Sequence, residues 1–149
     1  MTPEARIDEI IARIQLAQGS ATLLVAIADS DAGVDETRRI LIEILRATPM
    51  DVDDLGVAGA GAGPARWAEQ TRKSSAQAFV LMFSPPTPES AALATSAFAR
   101  LVNPERELLR QLAAPVVLVL SRGAERALRA HAPDFFTWVA QTYELPGPH

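Results

Sequence analysis

Acidic, hydroxyl and glycine residues gather where three apolar runs end, and those ends are where chemistry would sit. The runs are Thr22 to Ile27, Ala78 to Phe83 and Pro115 to Leu120. The first continues into Ala28-Asp29-Ser30-Asp31-Ala32-Gly33, the second into Ser84-Pro85-Pro86-Thr87-Pro88 and the third into Ser121-Arg122-Gly123. Asp29 and Asp31 could offer hard oxygen ligands to Mg²⁺. A phosphoacceptor built on them would also need an aspartate after a central strand and a lysine after a later one. Ser84 and Ser121-Arg122 supply neither, so capping and dipole compensation of the next helix is the reading the two acids favour. Asp29, Asp31, Ser84 and Ser121 are retained as weak candidates for a ligand held without hydrolysis.

Phosphate transfer needs a glycine-rich loop ending in Gly-Lys-Ser/Thr, because backbone N–H groups and one ammonium must cradle the phosphates. The best glycine-rich stretch, Gly56 to Gly63, lacks that ending. Lys73 is the one lysine among 14 basic residues, and it follows Arg72 in a polar stretch that reads as a solvated helix end. An acid at the end of a neighbouring strand, which Mg²⁺-dependent hydrolysis also requires, is replaced by Ser84-Pro85. Nucleophilic catalysis fares no better. His131 is the one plausible base, and it lies at a helix C-terminus where an imidazole suits the dipole; the other histidine is His149. There are no cysteines, which removes thiolate metal sites, disulfides and a cysteine nucleophile together. No catalytic residue, cofactor or metal is expected, and the chain reads as a non-enzyme.

The elements that must position these ends follow from hydrophobic patterning. Short, nearly unbroken apolar runs separated by helical periodicity are how a parallel sheet covered on both faces reads. Ile7, Ile10, Ile11 and Ile14 give one face of a helix that opens at Pro3 and stops at Gly19. A second helix, capped by Ser30 or Asp31, runs through Ile40, Leu41, Ile44 and Leu45 toward Thr48-Pro49. Met50 to Val57, interrupted by three aspartates, reads as an edge strand. Gly56 to Pro64 reads as a flexible loop, and Pro64 opens a short helix through Trp67 toward Ser75. After the three prolines, with Thr87 as cap, a long helical region is interrupted by a second start signal at Asn103-Pro104-Glu105, which predicts two helices or one sharp kink. A helix from Arg122 to about His131 follows the third run, and a last short strand lies around Thr142 to Leu145. The expected fold is an α/β three-layer sandwich with a mostly parallel sheet of four to five strands.

At 149 residues and 48% hydrophobic, the chain suits one domain, placed at 1–145, with 146–149 as a linker or the cut end of a longer chain. A net charge of -4 without a basic stripe argues against nucleic acid and anionic membranes as partners. No run approaches the length of a membrane span, and cytoplasm is the expected compartment. The largest aromatic cluster is Phe135, Phe136, Trp138 and Tyr143. Core closing the far edge of the sheet is one reading; a docking surface formed with Arg122, Arg126 and Arg129 is the other, since interfaces favour aromatics and arginine.

Three segments carry a resemblance: Leu101-Val102-Asn103-Pro104-Glu105-Arg106-Glu107-Leu108-Leu109, Pro115 to Leu120, and His131-Ala132-Pro133-Asp134-Phe135-Phe136-Thr137-Trp138 with Tyr143-Glu144-Leu145. Together they resemble a degenerate P-loop domain, the inactive STAND type, that stands before tetratricopeptide, caspase-like or NTPase modules in bacterial signalling and conflict proteins. The match covers the last third of the chain well and the first strand loosely. It departs where Thr137-Trp138-Val139 lacks a basic residue beyond the tryptophan and where the middle strand lacks an acidic end. The resemblance implies a P-loop-like sandwich without its phosphate loop, acting as an adaptor. The expected function is therefore a non-catalytic interaction or regulatory module that contacts a neighbouring domain, another signalling protein or its own copy. Nucleotide or small-ligand sensing without hydrolysis is the alternative.

Overall fold

Two of the three apolar runs lie side by side at the centre of the sheet, as their continuous burial requires. In a computed structural model describing residues 3–59, 62–85, 87 and 89–145, β1 (Leu23–Ala28) and β4 (Val116–Ser121) are buried at every position. They pair in parallel, with Val25 opposite Leu118. β3 (Ala78–Met82) flanks β4, β2 (Val52–Val57) forms one edge and β5 (Val139–Leu145) the other, giving the order β2-β3-β4-β1-β5 with every pairing parallel. The sheet is thus five-stranded and wholly parallel. β5 is longer than the Thr142–Leu145 segment expected, because its first residues pair beside Leu23 through a register shift.

Right-handed crossovers then dictate which face each helix covers. From β1 the chain crosses the sheet to β2, and α2 (Val34–Ala47) lies on the same face as α1 (Pro3–Leu16). The connections β2 to β3, β3 to β4 and β4 to β5 run the opposite way, so α3 (Pro64–Arg72), α4 (Ala91–Glu105), α5 (Arg122–His131) and the one-turn α6 (Pro133–Phe136) cover the other face. Alternate strand residues feed the two layers. Leu24, Ala26, Val117 and Val119 meet the isoleucines of α1 and Leu41 and Leu45 of α2, while Val25, Leu118, Phe79 and Leu81 meet Trp67, Phe98, Val102, Leu128 and Phe135.

Several local expectations resolve differently. Ser30 makes no side-chain cap; a 3-10 turn over Asp31–Gly33 precedes α2, and Asp35 and Glu36 occupy the helix's first turn instead. Thr87 does not cap α4 directly but trades hydrogen bonds with Ser90, the residue before the helix. Asn103-Pro104 does not start a new α-helix. α4 continues through Pro104 to Glu105, and the chain tightens into a 3-10 segment, Arg106–Gln111. The Asn103 side chain is used elsewhere: its Oδ1 accepts from the Phe135 amide at 3.2 Å and so pins α6. Within the glycine-rich stretch, Gly59 and Ala62 form an isolated bridge, and the Ala62 carbonyl accepts from Trp67 Nε1 at 2.8 Å. Ala60 and Gly61 lie outside the described residues, as do Pro86, Pro88 and the tail Pro146 to His149.

Candidate functional sites at the strand ends and on the arginine-aromatic face

In an open parallel sheet a ligand sits beyond the carboxyl ends of the strands, where adjacent connections leave in opposite directions. Here that point lies between β1, whose chain departs toward β2, and β4, whose chain departs toward β5. Asp29 and Ser121 stand at it and Ser84 beside it, as the sequence placed them. Each is committed to local structure. Ser121 is 2% exposed and caps α5, its Oγ accepting from the Ala124 amide at 3.1 Å. Asp29 lies 3.7 Å from the Arg122 guanidinium, which also binds Glu144 of β5. This pairing with Glu144 first, and with Asp29, holds the guanidinium above its usual pKa. Arg122 thereby ties the ends of β1, β4 and β5 together. The Ser84 hydroxyl reaches the Asp31 carbonyl at 3.4 Å, so it steadies the turn after β1.

The electrostatics of that turn oppose phosphate. A helix N-terminus attracts anions through its free N–H groups and partial positive charge, but α2 presents Asp31, Asp35 and Glu36 at that end. Besides Arg122, the cation in the first turns of α2 is Arg38, and it is claimed by the protein's own acids: it meets Asp35 and Asp54 at 2.5 Å each. Burial works against its charge, yet these carboxylates keep it protonated above the ordinary arginine pKa. The Arg38 hydrogen bond in turn holds the Asp35 carboxyl below its ordinary value. Among the described residues no group of three or more His, Cys, Asp and Glu side chains is arranged to hold a metal.

Beside this knot, α4 and α5 leave a cleft of about 310 Å³ that reaches from Asp31, Pro85 and Gly123 down to His131. Of the four ligand candidates only Asp31 lines it. Sequence reasoning missed the cleft because its walls are alanines and its polar groups, Thr95 and Ser96, sit inside a helical pattern.

The second predicted surface divides into three parts. Phe135 is fully buried against Trp67 at 6.5 Å and Phe136 at 5.6 Å between ring centroids, which makes it core and corrects its assignment to a contact surface. Arg122 sits at the start of α5, about 10 Å up the helix from Arg129, and belongs to the strand-end knot. What remains is a patch in which Arg129 lies 4.5 Å over the Phe136 ring, Arg110 lies 5.4 Å over Trp138, and Arg126 is exposed nearby on α5. Glu125, largely buried, pairs with Arg129 and orients it. Arg110 was not anticipated; it follows α4 in sequence, and only the 3-10 segment turns it toward Trp138.

No family model matches the sequence, and no curated protein matches it. Among the solved structures to which it is similar are two forms of one protein. One is the ADP form of the ORC2 protein of Aeropyrum pernix, with TM-score 0.53, 10% identity and coverage of 96% of this chain. The other is the same protein in ADPNP-ADP complexes, with TM-score 0.56, 10% identity and 97% coverage. The fold is a P-loop-like α/β sandwich. The chain spans about half, 47%, of the length of those structures, and at 10% identity the likeness extends to the fold alone.

Proposed function

We propose that this chain is a non-catalytic protein-interaction module of the degenerate P-loop, inactive STAND-like kind, serving a bacterial signalling or conflict protein. One observation carries the reading: the turn between β1 and α2, where such a sandwich would cradle phosphate, is acidic, and its Asp29 is tied by Arg122 of α5 to Glu144 of β5. A fold kept without its phosphate chemistry offers surface in place of turnover. The Arg110, Arg126, Arg129, Phe136 and Trp138 patch is the contact face, because flat aromatic and guanidinium groups give large contact area and paired hydrogen-bond donors. Its partner is a neighbouring domain of the same polypeptide, another signalling protein or a second copy.

Calorimetric titration with ATP and GTP in Mg²⁺, with light scattering on the same sample, tests this. The expectation is no saturable heat with either nucleotide. Saturable micromolar binding would overturn the reading and return the search to the Asp29 turn. If the mass is that of a dimer, Trp138→Ala combined with Arg110→Ala is expected to restore a monomer.

A further inference from the structure

We propose that the cleft between α4 and α5 binds a small zwitterion of amino-acid size. Its volume of about 310 Å³ sits at the small end of the ~300–1,000 Å³ range of ligand pockets, too small for a nucleotide or a folded partner. From Gly123 to His131 it runs along α5 for about 12 Å, a length that suits one short organic molecule.

The chemistry of the lining is split by charge. Asp31, at the mouth, is the one carboxylate among the lining residues, and it would take an ammonium. Ala91 and Ala92, on the same lining, begin α4, a 15-residue helix with no side-chain cap, whose first-turn N–H groups lack intrahelical partners and favour a carboxylate. A lone anion would be repelled by Asp31, and a lone cation by the helix end. A molecule carrying both charges on one carbon satisfies the two together. The rest of the wall, Pro85, Ala92 and Ala127, is apolar and accepts a hydrocarbon side chain.

A second observation points to an occupant. Thr95, on the second turn of α4, is 5% exposed and lines the cleft. Its hydroxyl has no hydrogen-bond partner among the described residues, yet it is not one of the fully buried unpaired atoms, so the oxygen is open to the cleft that Thr95 lines. Thr71, the other buried threonine, donates to the Ala68 carbonyl and accepts from the Ala113 amide. The Thr95 hydroxyl is placed to bond a ligand head group.

The test is a ¹H–¹⁵N NMR titration of the whole chain with L-leucine, isoamylamine, which carries only the ammonium, and isovalerate, which carries only the carboxylate. Leucine is expected to give saturable shifts at the Ala92, Thr95 and Ala127 amides, with an affinity at least tenfold above that of either half-molecule. Asp31→Asn should weaken leucine and isoamylamine about tenfold and strengthen isovalerate, which no longer meets a like charge. Ala127→Phe, which fills the cleft, should abolish all three; Asp31→Asn, on an exposed turn, decides the matter if that variant does not fold. Absence of saturable shifts in the wild type, a half-molecule binding as tightly as leucine, or unaltered binding in either variant would overturn the proposal.

Discussion

Gly63 shows how one residue can be fixed by its neighbours. A Cβ there would lie 2.8 Å from Leu101 Cγ and 2.8 Å from Glu105 Oε1, so α3 can begin against α4 only if the side chain is absent. Gly63→Ala should cost about 1–3 kcal/mol by overpacking, read as a lower urea midpoint at unchanged slope. An unaltered midpoint would mean that Leu101 moves aside freely. Ser121 makes the opposite argument, since its hydroxyl is required rather than excluded. Ser121→Ala removes the α5 cap and should cost ~0.5–2 kcal/mol, with Ser121→Asp or Asn recovering part of it. Neither residue advertised its constraint. A glycine in a glycine-rich run and a serine after an apolar strand have many ordinary explanations, and only the distances separate them.

At the scale of elements, the two sheet edges are handled unequally. β2 carries a register shift between Asp54 and Gly56, where the Gly56 amide donates to Asp54 Oδ1 at 2.8 Å, and Arg46 donates to the Val52 carbonyl. Bulges and inward-bonded charges of this kind discourage pairing with another chain. Asp54→Val, which removes both the bulge bond and the Arg38 partner, should therefore raise concentration-dependent self-association in light scattering; a monomer at every concentration would show that the bulge alone protects the edge. The aspartates of β2 were legible as an edge signal, but their partners were not, because Arg38, which holds Asp54, comes from the helix that crosses the sheet, and Ser74, which holds Asp53, follows α3. Asn103 and α6 form a similar long-range pair. Asn103→Ala removes one of the two acceptors of the Phe135 amide, the Ala132 carbonyl at 3.2 Å being the other, and should cost ~0.5–1.5 kcal/mol and speed hydrogen exchange at that amide; unchanged exchange would assign the hold on α6 to packing.

For the whole molecule, the exposed surface of 7341 Å² is close to the ~7,400 Å² expected of a folded chain of this mass, so both sheet faces are covered from within the chain. Its acid stability should be governed by depressed carboxylates. The hydrogen bond from Arg38 lowers Asp35 and that from Lys73 lowers Glu69. Groups lowered on folding stabilise the protein above their unfolded values and lose that contribution as pH falls through the folded ones. The thermal midpoint should thus be level near neutrality and decline below about pH 4. At the alkaline end burial raises Tyr143, so its contribution is present below its unfolded value and fades above about pH 10. Arg38→Met should flatten part of the acid limb, and an identical limb in that variant would remove Asp35 from the account. No helix among the described residues is long and apolar enough to cross a membrane.

The sequence by itself determined the layered α/β architecture, since unbroken apolar strands between amphipathic helices can be buried only as a parallel sheet with helices on both faces. It also determined that the loop after the first strand is acidic and lacks a phosphate cradle, because that depends on residue types in one continuous stretch. Tertiary structure alone decided which residues meet across the fold. It moved Phe135 into the core, placed Arg110 on Trp138, tied Asp29 to Glu144 through Arg122, and opened a cleft among alanines that no motif marks. Periodicity fixes which face of an element is apolar, whereas contacts between residues far apart in the chain depend on strand order and crossover hand. A single sequence records those only as a sum of packing choices.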